Sequence, residues 1–185
     1  MDLPRPRRIT DADALKALAH PLRVALLNHL LAVGPRTASE CAEAVGSTAS
    51  NCSWHLRQLA KAGFVERSGT GDGRERPWRA TSVGYDVGAF ADDPEVRSRQ
   101  DALLALGLNE DNRLVQRFLD RQHELPREWL HAAAMHGYSV NATAEELTGL
   151  LGMIDDILRP YLVPVREDAP EGARPVHIGI RAFPL

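Results

Sequence analysis

Ser50, Ser53, Trp54, Arg57 and Lys61 recur at intervals of three and four residues, the spacing that gathers side chains on one side of a helix. Taking about 100° per residue with Cys52 at zero, Leu56 and Leu59 fall within about 40° of Cys52, and the polar set occupies the opposite side. A serine hydroxyl can bond a base edge or a phosphate oxygen, and arginine can pair bidentately with guanine O6 and N7. Such a stripe on the N-terminal half of a helix suits a major groove. Arg74 and Arg76 follow in a glycine-bearing segment that could track the sugar-phosphate backbone or enter a minor groove. Asp72 and Glu75 dilute that charge, and a solvated charged turn is the plainer alternative.

Catalytic chemistry has fewer handles. His131, His136, His177, Glu124, Glu128, Asp155 and Asp156 could supply acid and base groups, but no nucleophile elbow, phosphate loop or metal signature accompanies them. Asp155 and Asp156 are adjacent, so on a helix they diverge by about 100°, which is poor geometry for a carboxylate pair. The expectation is no catalytic residue, no metal ligand set and no cofactor. Cys41 and Cys52 read as small buried hydrophobes, and the low cysteine count fits a reducing cytoplasm.

The 185 residues are 44% hydrophobic, 25% charged and only 5% aromatic, which excludes a disordered or collagen-like chain and predicts an aliphatic core. No apolar run approaches the roughly 20 residues of a membrane span, so no membrane partner is expected. The net charge of −3 conceals an asymmetry. Residues 1–90 carry 12 Lys and Arg against 9 Asp and Glu, net +3, while residues 91–185 carry 10 against 16, net −6. The part bearing the serine–arginine stripe is therefore the basic part.

Several elements must position that stripe. Thr10 or Asp11 can cap a first helix that ends near His20, since Pro21 disfavours helical geometry in the residue before it. Pro21 suits the first turn of a second helix carrying Leu22, Ala25, Leu26, Leu30 and Val33, stopped by Gly34-Pro35. A third helix runs from about Thr37 to Val45, with Gly46 as terminator. Ser47 or Thr48 caps the fourth, which ends at Gly63. Phe64–Arg67 and Trp78–Thr81 read as strands of a long-tipped hairpin. His55 is expected to be partly buried and hydrogen-bonded. Ahead of all this, Arg5, Arg7 and Arg8 sit in a proline-bearing stretch read as an extended arm, either phosphate-binding or merely solubilising.

Beyond a boundary at Gly84–Pro94, two helices are expected, Glu95–Leu106 and Glu110–Glu124, separated or bent at Gly107-Leu108-Asn109. Trp129–Val140 suits either a strand or a helix. Thr143 and Glu146 form a capping-box pattern before a helix with Leu147, Leu150, Leu151, Ile154 and Leu158 on one face. Alternation of Val176, Ile178, Ile180 and Ala182 with His177, Gly179 and Arg181 predicts a final strand.

Three short helices and a hairpin are the order of a winged helix-turn-helix. The segments LKALAHPLRVALLNHL (Leu15–Leu30) and AEAVGSTASNCSWHLRQLAKAGFVERSGTGDGRERPWRAT (Ala42–Thr81) resemble the ArsR-type winged-helix transcriptional repressors over about residues 11–82. The resemblance implies binding to double-stranded DNA, with Ser50, Asn51, Ser53 and Trp54 at the base-reading positions. Trp54 departs from the small polar residue or histidine that the resemblance implies there. Many relatives sense metals through a Cys-x-Cys motif on the third helix; this chain has Thr37 and Ser39 at those positions, so the thiolates are absent.

The sequence thus predicts a mainly α (α+β) chain: a winged helix-turn-helix over residues 1–90, then a helical or α+β part over 91–185 for dimerisation or effector response. The expected function is a cytoplasmic regulator, a repressor binding a palindromic site as a homodimer. Ala102–Leu106 with Leu114, Val115, Phe118 and Leu119 supplies either the dimer interface or an intrachain core. Trp129–Val140, Thr143–Tyr161 and Val176–Phe183 are expected to pack as an α+β layer that enlarges the dimer, encloses an apolar small-molecule pocket near Trp129, Met135 and Tyr138, or forms a solid core. A winged helix used for protein contacts is the alternative, favoured if the C-terminal part covers the basic face of the fourth helix.

Overall fold

Caps set most of the helix boundaries in the computed structural model, which describes residues 4–69, 76–88 and 90–185. Asp11 accepts a hydrogen bond from the Ala14 N–H and starts α1 (Ala12–Leu18). His20 caps α2 (Pro21–Val33) through its ring, Nδ1 accepting from the Leu22 N–H at 3.1 Å. A reciprocal Thr37–Glu40 capping box opens α3 (Ala38–Val45), and Gly46, at φ +66°, closes it in the left-handed region where a glycine carries no side-chain penalty. Thr48 caps α4 (Ala49–Lys61).

The helices bury one aliphatic core. Leu15 and Leu18 of α1, Val24, Leu26, Leu27 and Leu30 of α2, Cys41 of α3, and Cys52, Leu56 and Leu59 of α4 are all buried, with Phe64, Val65 and Trp78 closing it from the hairpin. Burial of this many large aliphatic side chains is the main force holding α4 in its phase. The hairpin pairs β2 (Val65–Arg67) antiparallel with β3 (Trp78–Ala80), Glu66 opposite Arg79. Arg36 and Trp78 also exchange two backbone hydrogen bonds, 3.0 and 2.7 Å, which tie the turn before α3 to the hairpin. Together these elements form a winged helix-turn-helix within a mainly helical chain.

The N-terminal stretch is not a free arm. Its β1 (Arg7–Arg8) pairs parallel with β4 (Tyr85–Asp86). The Arg7 guanidinium donates to the Ala62 and Gly63 carbonyls at 3.1 and 3.0 Å and lies over the Phe64 ring at 4.4 Å. These contacts make Arg7 a clamp on the end of α4, in place of the expected phosphate-binding or solubilising side chain.

The rest of the chain departs from expectation at several points. One uninterrupted helix, α5 (Pro94–Arg121), replaces the two expected on either side of Gly107. A single interior glycine costs only about 1 kcal/mol. Packing of the first half of α5 on α1 and α2 outweighs that cost. The core also runs past residue 90, because Leu103 of α5 is buried in it, and the Gln100 amide donates to the Val87 carbonyl. Arg127–Ala132 is a short helix, α6, and residues 133–143 have no regular structure. Val176–Ala182 alternates as a strand should yet belongs to no sheet, because no neighbouring strand is offered to its backbone groups. The helix α7 (Ala144–Leu158) forms behind its Thr143–Glu146 capping box as expected. Within the single chain, the described residues form no α+β layer. Met135 and Tyr138 are 62% and 82% exposed in the single chain.

Candidate nucleic-acid interface

The candidate surface starts from the phase of α4. Its Cys52, Leu56 and Leu59 are fully buried, so the opposite side must face outward. Ser50, Asn51, Trp54, Arg57 and Lys61 are exposed and Ser53 is half-buried. Asn51 is held from behind: its amide donates to the Ser47 hydroxyl at 3.1 Å, and its backbone N–H donates to the Thr48 hydroxyl. Trp54 is 51% exposed, with its ring meeting the edge of His55 at 4.7 Å between centroids. Ser50, Asn51, Ser53 and Trp54 therefore project together from the first two turns of α4.

His55 differs from expectation. It is buried, but its Nδ1 has no hydrogen-bond partner among the described residues. Its ring sits 4.3 Å from that of His20, the cap of α2. Burial, then the neighbouring His20 and Arg23, lowers the pKa of His55. Burial, then Arg23, lowers that of His20. Both rings favour the neutral form.

Cations gather beside α4 at the base of the hairpin. The Arg67 guanidinium stacks over Trp78 at 3.9 Å and donates to the Arg76 carbonyl. Burial first, then the positive fields of Arg57 and Arg76, lowers its pKa. Arg57, Arg67 and Arg76 thus form one group of like charges, which repel one another until an anion is brought among them. Arg79 is already matched, its guanidinium holding Glu66 at 2.7 Å. Arg67 escaped the sequence reading because strand alternation marks it merely as outward-facing; the signal lies in its cross-strand position opposite Trp78.

Two predicted contact residues stand apart from this group. Arg74 lies outside the described residues. Lys61 lies about 16 Å along the helix from Ser50 at the usual rise per residue. There it lines an open cleft of about 380 Å³ with Arg7, Asp11, Asp13, Lys16 and Arg23. The cleft's mixed charge differs from the Arg57–Arg67–Arg76 group.

The residues weighed for other chemistry are engaged differently. Cys41 and Cys52 are free and buried, and burial, helped by Cys52 and Glu40, pushes the Cys41 thiol up to about 11. That disfavours the thiolate a soft metal requires. Asp155 and Asp156 both bind the buried Arg159. Asp111 holds His177, at 3.4 Å, together with Arg181. Among the described residues no group of three or more His, Cys, Asp or Glu could hold a metal ion. Among the described residues no helix is long and apolar enough to cross a membrane.

Residues 18–68 match the family described as Helix-turn-helix domain. That span holds α2, α3, α4 and β2, so the polar face of α4 lies within the matched segment. No curated protein matches the chain. Among solved structures, the chain is similar to the homodimeric winged helix-turn-helix DNA-binding domain of a possible ArsR-family regulator from Mycobacterium bovis. The identity is 24% and the TM-score 0.35, over 69% of this chain and 86% of that one. It is also similar to a MarR-family protein of Mycobacterium tuberculosis in complex with salicylic acid, at 18% identity and TM-score 0.32, over 78% of this chain and 84% of that one. A transcriptional regulator from Thermotoga maritima matches at 12% identity and TM-score 0.32, over 78% and 85%.

Proposed function

We propose that this chain is a sequence-specific DNA-binding transcriptional regulator, a repressor that acts as a homodimer on a palindromic site. The observation that carries the reading is the open polar face of α4 beside the Arg57–Arg67–Arg76 group. Ser50, Asn51, Ser53 and Trp54 meet base edges in the major groove, with the Trp54 ring suited to a thymine methyl or a sugar. Arg57, Arg67 and Arg76 meet phosphates, and we assign Arg74 to the same contact from the sequence alone. Phosphate contact relieves the mutual repulsion of the three arginines and releases condensed counterions from the duplex.

One winged helix offers few base contacts, so useful specificity calls for two related by a two-fold axis. Leu104, Leu108, Val115 and Leu119 lie exposed along α5, and we assign them to the interface between protomers. Leu103, by contrast, is spent on the chain's own core. A protein-contact role for the winged helix is disfavoured, because the chain's own C-terminal part leaves the α4 face open. The experiment is selection of bound fragments from genomic DNA, followed by titration of an enriched duplex at increasing salt. Enrichment of a palindrome and a steep loss of affinity with salt support the reading; no binding to any duplex at low ionic strength overturns it.

A further inference from the structure

Residues 126–185 carry apolar surface that their own chain does not cover. Along α7, Leu147, Leu150, Leu151, Ile154 and Leu158 recur at helical spacing. Among the described residues the element packed closely on this helix is the single 3-10 turn Arg159–Tyr161 that follows it. Further on, His177 and Arg181 reach Asp111 of α5. Side chains alternate in an extended segment, so Val176, Ile178 and Ile180 are turned away from α5. All three are exposed, on a segment that belongs to no sheet. The far half of α5 adds Leu108, Val115 and Leu119.

The areas say what kind of occupant is required. The chain exposes 12795 Å², whereas a compact monomer of 20.3 kDa exposes about 8,800 Å². Two copies together carry a surplus of about 8,000 Å², about 4,000 Å² each, so burial of about half of it supplies an obligate interface, roughly 2,000–5,000 Å² in total. It is far more than a small ligand covers. The same chain also offers the complementary pieces, an apolar helix face and an unpaired extended edge, as a two-fold isologous contact requires.

We propose that residues 133–183 are an exchange arm completed by a second copy of this chain, with α7 and the Val176–Ile178–Ile180 edge buried against the α5 and arm of that copy. The proposal rests on the homodimer reading above and names the surface that makes the dimer obligate. The test uses the full chain, by sedimentation equilibrium and amide hydrogen exchange over a concentration series. A two-chain mass is expected, with the amides of residues 144–158 protected and that protection lost on dilution. Ile157→Asp and Ile178→Asp, at positions 67% and 58% exposed in the single chain, leave its fold intact by circular dichroism. Each should weaken self-association roughly tenfold or more. A one-chain mass at every concentration overturns the proposal. So does a two-chain mass in which α7 exchanges as an unpacked helix, or in which both variants associate like the wild type. Duplex binding by the same samples at low salt is scored separately, so failure of the arm and failure of the DNA reading are told apart.

Discussion

The rings of His20 and His55 meet, tilted by 44°, across the seam between the start of α2 and the buried side of α4, centroids 4.3 Å apart. The two rings couple a helix cap to α4. Their lowered pKa values mean that the unfolded chain binds protons more readily than the folded one. Stability contributed by the neutral pair is fully present above the unfolded pKa of 6.5 and is lost as pH falls below it. Protonation of His20 at Nδ1 also removes the acceptor for the Leu22 N–H. Denaturant midpoints measured from pH 8 to 5 should therefore fall on the acid side, and His20→Asn, which keeps a capping acceptor, should flatten that fall. Equal slopes in wild type and variant would remove the histidine pair as the cause.

Base contact and folding should separate cleanly on α4. Ser50→Ala combined with Asn51→Ala should reduce discrimination between operator and random duplex while leaving the thermal midpoint nearly unchanged. Leu56 is fully buried, and its change to Ala should cost about 2–5 kcal/mol in denaturant unfolding. The reverse pattern would mean that the helix faces the other way.

Salt dependence distinguishes the arginines. Arg57→Ala and Arg76→Ala should each lower the slope of log affinity against log salt by about one unit. Arg79→Ala should leave the slope unchanged, because Arg79 is held by Glu66. Lys61→Ala should do likewise, given its place in the cleft near α1. A drop for Lys61→Ala equal to that for Arg57→Ala would extend the DNA-contacting surface to the end of α4.

Arg7→Ala should act on stability alone. It removes two hydrogen bonds to carbonyls at the end of α4 and a cation over Phe64, a loss of about 1–3 kcal/mol. An unchanged stability with a reduced salt slope would restore the phosphate-binding arm.

What could be read from sequence follows the range of the forces involved. Caps and helix phase are local, so Asp11, Pro21, Thr37 and Thr48 mark their helices correctly, and Cys52, Leu56 and Leu59 orient α4. Long-range pairings are not local. Nothing near Arg7 announces that Tyr85 will pair with it, and the hairpin pattern does not by itself fix the register that sets Arg67 opposite Trp78. Gly107 illustrates the other failure, a weak local breaker overruled by packing of the preceding turns on α1 and α2. Val176–Ile180 shows that alternation states a capacity for strand pairing but not the presence of a neighbour.

The two backbone hydrogen bonds between Arg36 and Trp78 have a mechanical consequence. They make the turn between α2 and α3 and the root of the hairpin a single lever. On the proposed DNA reading, α4 and the hairpin are the two jaws of a caliper joined there, and a substitution that displaces Arg36 without approaching the duplex is expected to change the gap between them.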